Sequence, residues 1–98
     1  MKLHPDVEAL LRTMRALEQR LAGHDDFWAD HVRRAADEVA TSDAHGVQRF
    51  LRLFGGMGSL NDLVLHQYGN PLHAENDQLD ALRTRAWEQA YALRHEAE

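Results

Sequence analysis

An all-α fold is predicted by the 98 residues: a small bundle of four main helices, with a glycine-rich turn and a short extra helix between the third and the last. Three observations predict it. Apolar residues recur at helical spacing, three and four apart, over four stretches of the chain. Each stretch opens on a residue suited to starting a helix. Finally, three of the six glycines crowd into positions 55, 56 and 58, where they break a pattern that is otherwise helical nearly throughout. A chain of this length buries roughly two-thirds of its unfolded surface, enough for one modest core. Residues 1–98 therefore read as a single domain, without internal repeats or low-complexity segments.

The first helix is expected over residues 5 to 22. Pro5 pre-sets φ for the first turn, Asp6 places negative charge at the positive end of the dipole, and Gly23 is a natural stop. Val7, Leu10, Leu11, Met14, Leu17 and Leu21 form its apolar stripe. Asp25 or Asp26 caps the second helix, which carries Trp28, Val32, Ala35, Ala36 and Val39 on one side and ends near Thr41. Ser42 is a good cap for the third, whose buried side is Val47, Phe50, Leu51 and Phe54. Gly46 near its start costs about 1 kcal/mol relative to alanine, so a tight contact is expected there.

Phe54-Gly55-Gly56-Met57-Gly58-Ser59-Leu60-Asn61-Asp62-Leu63 is then a shaped turn. Leu60, Leu63, Val64 and Leu65 are too short a run to classify by period and leave a strand open, but Ser59 followed by Asp62 resembles a capping box and favours a short helix from Leu60. His66 to Asn70 read as a polar loop, and Asn70-Pro71 as the cap and first residue of a last helix over about 71 to 96. Leu72, Leu79, Leu82, Ala86, Ala90 and Leu93 make its stripe, with Trp87 at the margin. Position 76 belongs to that stripe but is asparagine. A buried amide left without partners costs about 1–3 kcal/mol, so Asn76 is expected to pin the glycine turn, through backbone or through Asn61 and Asp62, to the last helix.

Eleven Lys and Arg against sixteen Asp and Glu leave a formal net charge of −5, which disfavours nucleic acid. Arg33-Arg34 and the trio Arg49, Arg52 and Arg83 are diluted by neighbouring acids and read as solvated helix faces. The absence of cysteine removes disulfides and thiolate zinc sites. No apolar run approaches the ~20 residues that span a bilayer, and the first residues lack the apolar core of a signal peptide, so no membrane association and a cytoplasmic location are expected.

Chemistry is thinly signalled. Gly55-Gly56-Met57-Gly58-Ser59 lacks the spacing and the lysine of a phosphate loop, and no clear strand leads into it, so it reads as a chain reversal. Ser59 has no nucleophile-elbow context and is more simply a cap. The seven histidines show no i, i+4 pair; His66 and His73, flanking one loop, are the pair to watch, but neither a metal nor a cofactor is expected. Asn61 and Asp62 sit at the mouth of a special turn, where functional groups are often displayed. With His66, Tyr68, Asp26 and Asp30 they form the candidate surface for a partner or ligand. Gly55, Gly56, Gly58, Ser59 and Asn76 form the structural motif. Asp25, Asp26, Asp30, Asp37 and Glu38 make an acidic face on the second helix, and Phe27, Trp28 and Tyr68 are available as aromatic anchors.

The segment from Phe54 to Leu65, with Asn76 and Leu79-x-x-Leu82-Arg83, resembles a family of small uncharacterised bacterial domains built around F-G-G-M-G-S-L-N-D. In size, charge and helical build such domains are similar to immunity proteins that neutralise bacterial toxins. The resemblance implies a non-enzymatic protein-binding module whose acidic helix face steers a basic toxin while the loop around Tyr68 covers its active site. The alternatives are a structural or regulatory homo-oligomer, pairing the alanine-rich second helix and the long last helix across a two-fold, and a small-ligand or metal site around the glycine turn.

Overall fold

The computed structural model describes residues 4–41, 44–54 and 59–96. Helix α1 (Pro5–Leu21) starts as Pro5 and Asp6 dictate, with an additional device: the His4 ring caps it, the Asp6 N–H donating to His4 Nδ1 at 3.1 Å. Leu10, Met14, Leu17 and Leu21 are fully buried along one stripe. The chain leaves α1 through Gly23, whose φ of 83° is one that glycine adopts without strain.

Both aspartates of the next turn are used. Asp26 accepts the Gly23 N–H at 3.0 Å, and Asp25 caps α2 (Asp26–Ala40) by accepting the Trp28 N–H at 3.1 Å. Ala29, Val32, Ala35, Ala36 and Val39 are buried in the core. The alanines expected to receive a second copy are thus consumed inside the chain. Their small side chains let α2 lie close to its neighbours, which removes them from any outer surface.

Helix α3 (Ala44–Arg52) is short, and Ser42, its expected cap, lies outside the described residues. Gly46 accounts for the close approach of α3 to the end of α2. A Cβ at this position would stand 2.6 Å from the Val39 backbone nitrogen and 2.9 Å from the Glu38 Cβ. The tight contact expected at Gly46 is present.

A 3₁₀ turn (Leu60–Asp62) supplies the short helix expected after the glycines. The next residues depart from expectation. His66–Gln67 (β1) and Asn70–Pro71 (β2) pair antiparallel, His66 opposite Pro71 and Gln67 opposite Asn70. Tyr68 and Gly69 between them both have positive φ, 53° and 80°, as a two-residue type I′ hairpin requires. What reads as a polar loop is therefore a tight ribbon, and Asn70-Pro71 belong to it, not to the last helix. The Leu72 N–H donates to the Leu65 carbonyl at 2.9 Å, which holds Leu72 to the ribbon, and helix α4 (His73–Glu96) begins one residue later.

The helices close into a ring: α1 packs on α2 and α4, and α3 packs on the same two from the other side. Phe50 from α3, Leu60 and Leu65 from the connection, and Leu79, Ala86 and Ala90 from α4 complete the core that α1 and α2 begin. The fold is the small all-α bundle that the apolar spacing predicts.

Candidate functional site

The described part of the connection into α4, from Ser59 to Leu72, holds a 3₁₀ turn and a hairpin but no core of its own, so its backbone polar groups must find partners elsewhere. Some are local: the Leu60 N–H donates to the Leu53 carbonyl at 2.8 Å. The decisive ones come from α4. Asn76 grips Leu65 at both backbone groups, accepting its N–H on Oδ1 at 2.7 Å and donating Nδ2–H to its carbonyl at 3.1 Å. Asn76 does pin the connection to α4, but its partner is the residue that enters the hairpin, not Asn61 or Asp62.

Arg83, two turns along α4 and on the same side, serves the 3₁₀ turn. Its Nη1 donates to the carbonyls of Leu60 and Leu63, each at 2.8 Å, and Nη2 donates to Asp80. These carbonyls lie at the end of the 3₁₀ turn, where the Leu60 carbonyl accepts only a long bond from the Leu63 N–H at 3.4 Å, and the end of a helical turn is where a cation is well placed. Arg83 is only 7% exposed. Burial lowers its pKa from the ordinary guanidinium value, and the nearby charge of Asp62 works in the opposite direction. The reading of Arg83 as part of a solvated basic face is therefore corrected: a long stem lets a helix-flank residue turn its head inward wherever carbonyls await it.

Ser59 is buried at the head of the 3₁₀ turn but its side chain makes no capping hydrogen bond there, contrary to the capping-box reading. The Asp62 N–H, which the Ser59 hydroxyl would have capped, donates to the Ser59 carbonyl at 3.0 Å, the bond of a 3₁₀ turn. Gly55, Gly56 and Gly58 lie outside the described residues. Asn61 and Asp62 are exposed on the 3₁₀ turn, Asp62 on the side that feels Arg83. His66 is exposed at the base of the hairpin, its Nδ1 2.9 Å from the Val64 carbonyl, and Tyr68 stands at the tip, 94% exposed. These four share one connection, whereas Asp26 and Asp30 belong to α2.

The acidic face of α2 is largely neutralised within the chain. Asp30 pairs with Arg33 and, at 3.0 Å, with Arg34; Asp37 accepts from Arg15 of α1 at 2.8 Å; Glu38 accepts from Arg49 of α3 at 3.0 Å. The hydrogen bond from Arg33, foremost, holds the Asp30 carboxyl below the ordinary aspartate value. With Asp25 and Asp26 bound to backbone, the face offers a basic partner less charge than a count of carboxylates suggests. At its start Phe27 is exposed, edge-on to Trp28 at 5.4 Å between centroids and 4.3 Å from the His31 ring.

Among the described residues no three of His, Asp and Glu gather as metal ligands would, and no helix is long and apolar enough to cross a membrane. The α1–α4 seam carries an open groove of about 650 Å³ lined by Ala16, Gln19, Arg20, Gln78, Ala81 and Leu82. One surface feature was missed in the sequence. Trp87 and Tyr91 stack at 4.8 Å and 19° on the outside of α4, 38% and 43% exposed. Their i, i+4 spacing, off the core stripe, was the available signal.

The comparisons with known proteins agree with a domain of this kind and add no chemistry. No curated protein and no solved structure matches the chain. A family model described as a domain of unknown function, DUF6966, matches residues 21–73, just over half of the chain, from the end of α1 through α2, α3 and the hairpin. The chain belongs to this uncharacterised family, DUF6966.

Proposed function

We propose that the domain is a non-enzymatic, cytoplasmic protein-binding module of the immunity type, and that its hairpin tip is inserted into a bacterial toxin. The carrying observation is Tyr68. A tyrosine held at a φ of 53° bears a local strain of roughly 1–2 kcal/mol that glycine would avoid. Strain of that kind is retained where the residue's identity matters outside the fold. Tyr68 is almost wholly exposed, Val64 just before the ribbon is 48% exposed, and the ribbon is fixed by Asn76 and Leu72. A large aromatic on a rigid base loses little entropy on entering a pocket, which is the character of an interface anchor. The net charge of −5 adds long-range attraction for a basic enzyme, although the paired acids of α2 contribute less than their number.

The test is a photoreactive residue at position 68, cross-linked in toxin-expressing cells, alongside growth protection by wild type and by Tyr68→Gly. The reading expects the toxin cross-linked at 68, and protection lost in Tyr68→Gly while its melting temperature stays the same or rises. Undiminished protection by Tyr68→Gly overturns it.

A further inference from the structure

Helix α4 carries two stripes. Asn76, Leu79, Arg83, Ala86, Ala90 and Leu93 face the core and the connection, each three or four residues from the last. Asp77, Asp80, Thr84, Trp87, Tyr91 and Arg94 repeat the same alternation one residue later, about 100° around the helix, and all six are exposed. Spacing of three and four is that of a coiled-coil seam. The centre of this outer stripe is the stacked Trp87–Tyr91 pair, one end is acidic and the other basic.

We infer that α4 pairs antiparallel with α4 of a second copy of the chain through this stripe. Charge selects both direction and register. A parallel pairing would set acid on acid and Arg94 on Arg94. In the antiparallel register the layers are Asp77 with Arg94, Asp80 with Tyr91 and Thr84 with Trp87, each occurring twice by symmetry. Asp77 and Arg94 then form two intermolecular ion pairs. The Tyr91 hydroxyl donates to Asp80, whose side chain is 64% exposed and keeps acceptor sites beyond its Arg83 bond. A register shifted by one heptad would stack Trp87 on Tyr91 but place Thr84 opposite Arg94 and leave Asp77 without a cation across the pair. The stripe from Asp77 to Arg94 spans ~26 Å at 1.5 Å per residue, which makes a small, dissociable interface. It lies on α4, apart from the hairpin tip, and does not depend on the toxin-binding reading.

Sedimentation equilibrium of the full chain across the micromolar range tests the pairing, with Asp77→Arg, Arg94→Asp and the double swap compared and their folding checked by circular dichroism. Wild type is expected to dimerise reversibly. Each single reversal should raise the dimer Kd by about tenfold or more, because two attractive pairs become repulsive. The double swap should return Kd to within about threefold of wild type. A wild type that stays monomeric overturns the dimer, and a double swap no tighter than the single variants overturns the register.

Discussion

Replacing Asn76 by alanine removes two hydrogen bonds at once and isolates what α4 contributes to the hairpin. The bonds, 2.7 and 3.1 Å long, both end on Leu65, a residue 3% exposed. Each contributes about 0.5–1.5 kcal/mol net, so the pair contributes about 1–3 kcal/mol. The two ends are not equivalent. The Leu65 carbonyl keeps the Leu72 N–H at 2.9 Å, whereas Oδ1 of Asn76 is the acceptor of the Leu65 N–H, which is left in a buried setting. That pushes the loss upward, while the better helix propensity of alanine restores up to ~0.7 kcal/mol. The net expectation is a loss of about 1–2.5 kcal/mol. For a domain of this size that is a fall of roughly 4–15 °C in Tm. Thermal unfolding by circular dichroism measures it, and amide exchange locates it: protection should drop at Leu65 more than in α1. An Asn76→Ala protein that melts within about 1 °C of wild type, with Leu65 still protected, would refute the reasoning.

Two further outcomes follow from packing and charge. Gly46→Ala should lower the urea midpoint, since a new Cβ 2.6 Å from the Val39 nitrogen incurs overpacking of about 1–3 kcal/mol against a propensity gain of ~1 kcal/mol; a raised midpoint would mean α3 moves away freely. Asp30 is a carboxyl whose pKa is lower in the folded than in the unfolded chain, so its contribution is present above the ordinary aspartate value and lost as pH falls through the folded one. Stability measured against pH should therefore decline less steeply in Asp30→Asn than in wild type on the acid side of that value, and parallel curves would show that the Arg33 pair adds nothing.

The helices were legible because burial writes itself into spacing: Leu10, Met14, Leu17 and Leu21 can share a face only in a helix. Gly46 and Asn76 were legible as exceptions, a glycine and an amide at positions where the pattern asked for something else. The hairpin was not. Strands of two residues hold no alternation to detect, and the turn is Tyr-Gly where Asn-Gly would have signalled it. Arg83 was illegible for another reason. The carbonyls it serves lie 20 and 23 residues earlier, and no local rule connects a cation on a helix flank to them. The neutralised face of α2 stands between these cases. Its pairs to Arg33 and Arg34 sit at helical spacing and could be read, but the pairs to Arg15 and Arg49 required the fold.

The family match ends at residue 73, while the two side chains that hold the connection in place stand beyond it, at 76 and 83. The matched segment therefore is not mechanically self-sufficient: its turns rely on an amide and a guanidinium from α4, seven residues apart and so on one side of that helix. This changes what a motif here means. Polar residues around a glycine turn suggest chemistry when they converge on an opening, yet here the described backbone converges on α4, and Leu60, Leu63 and Leu65 are where it is gripped. Tyr68 is different, because nearly all of its surface faces solvent. The hold on the connection therefore does not involve the side chain at 68, and the contacts of Asn76 with Leu65 and of Arg83 with Leu60 and Leu63 are made without it.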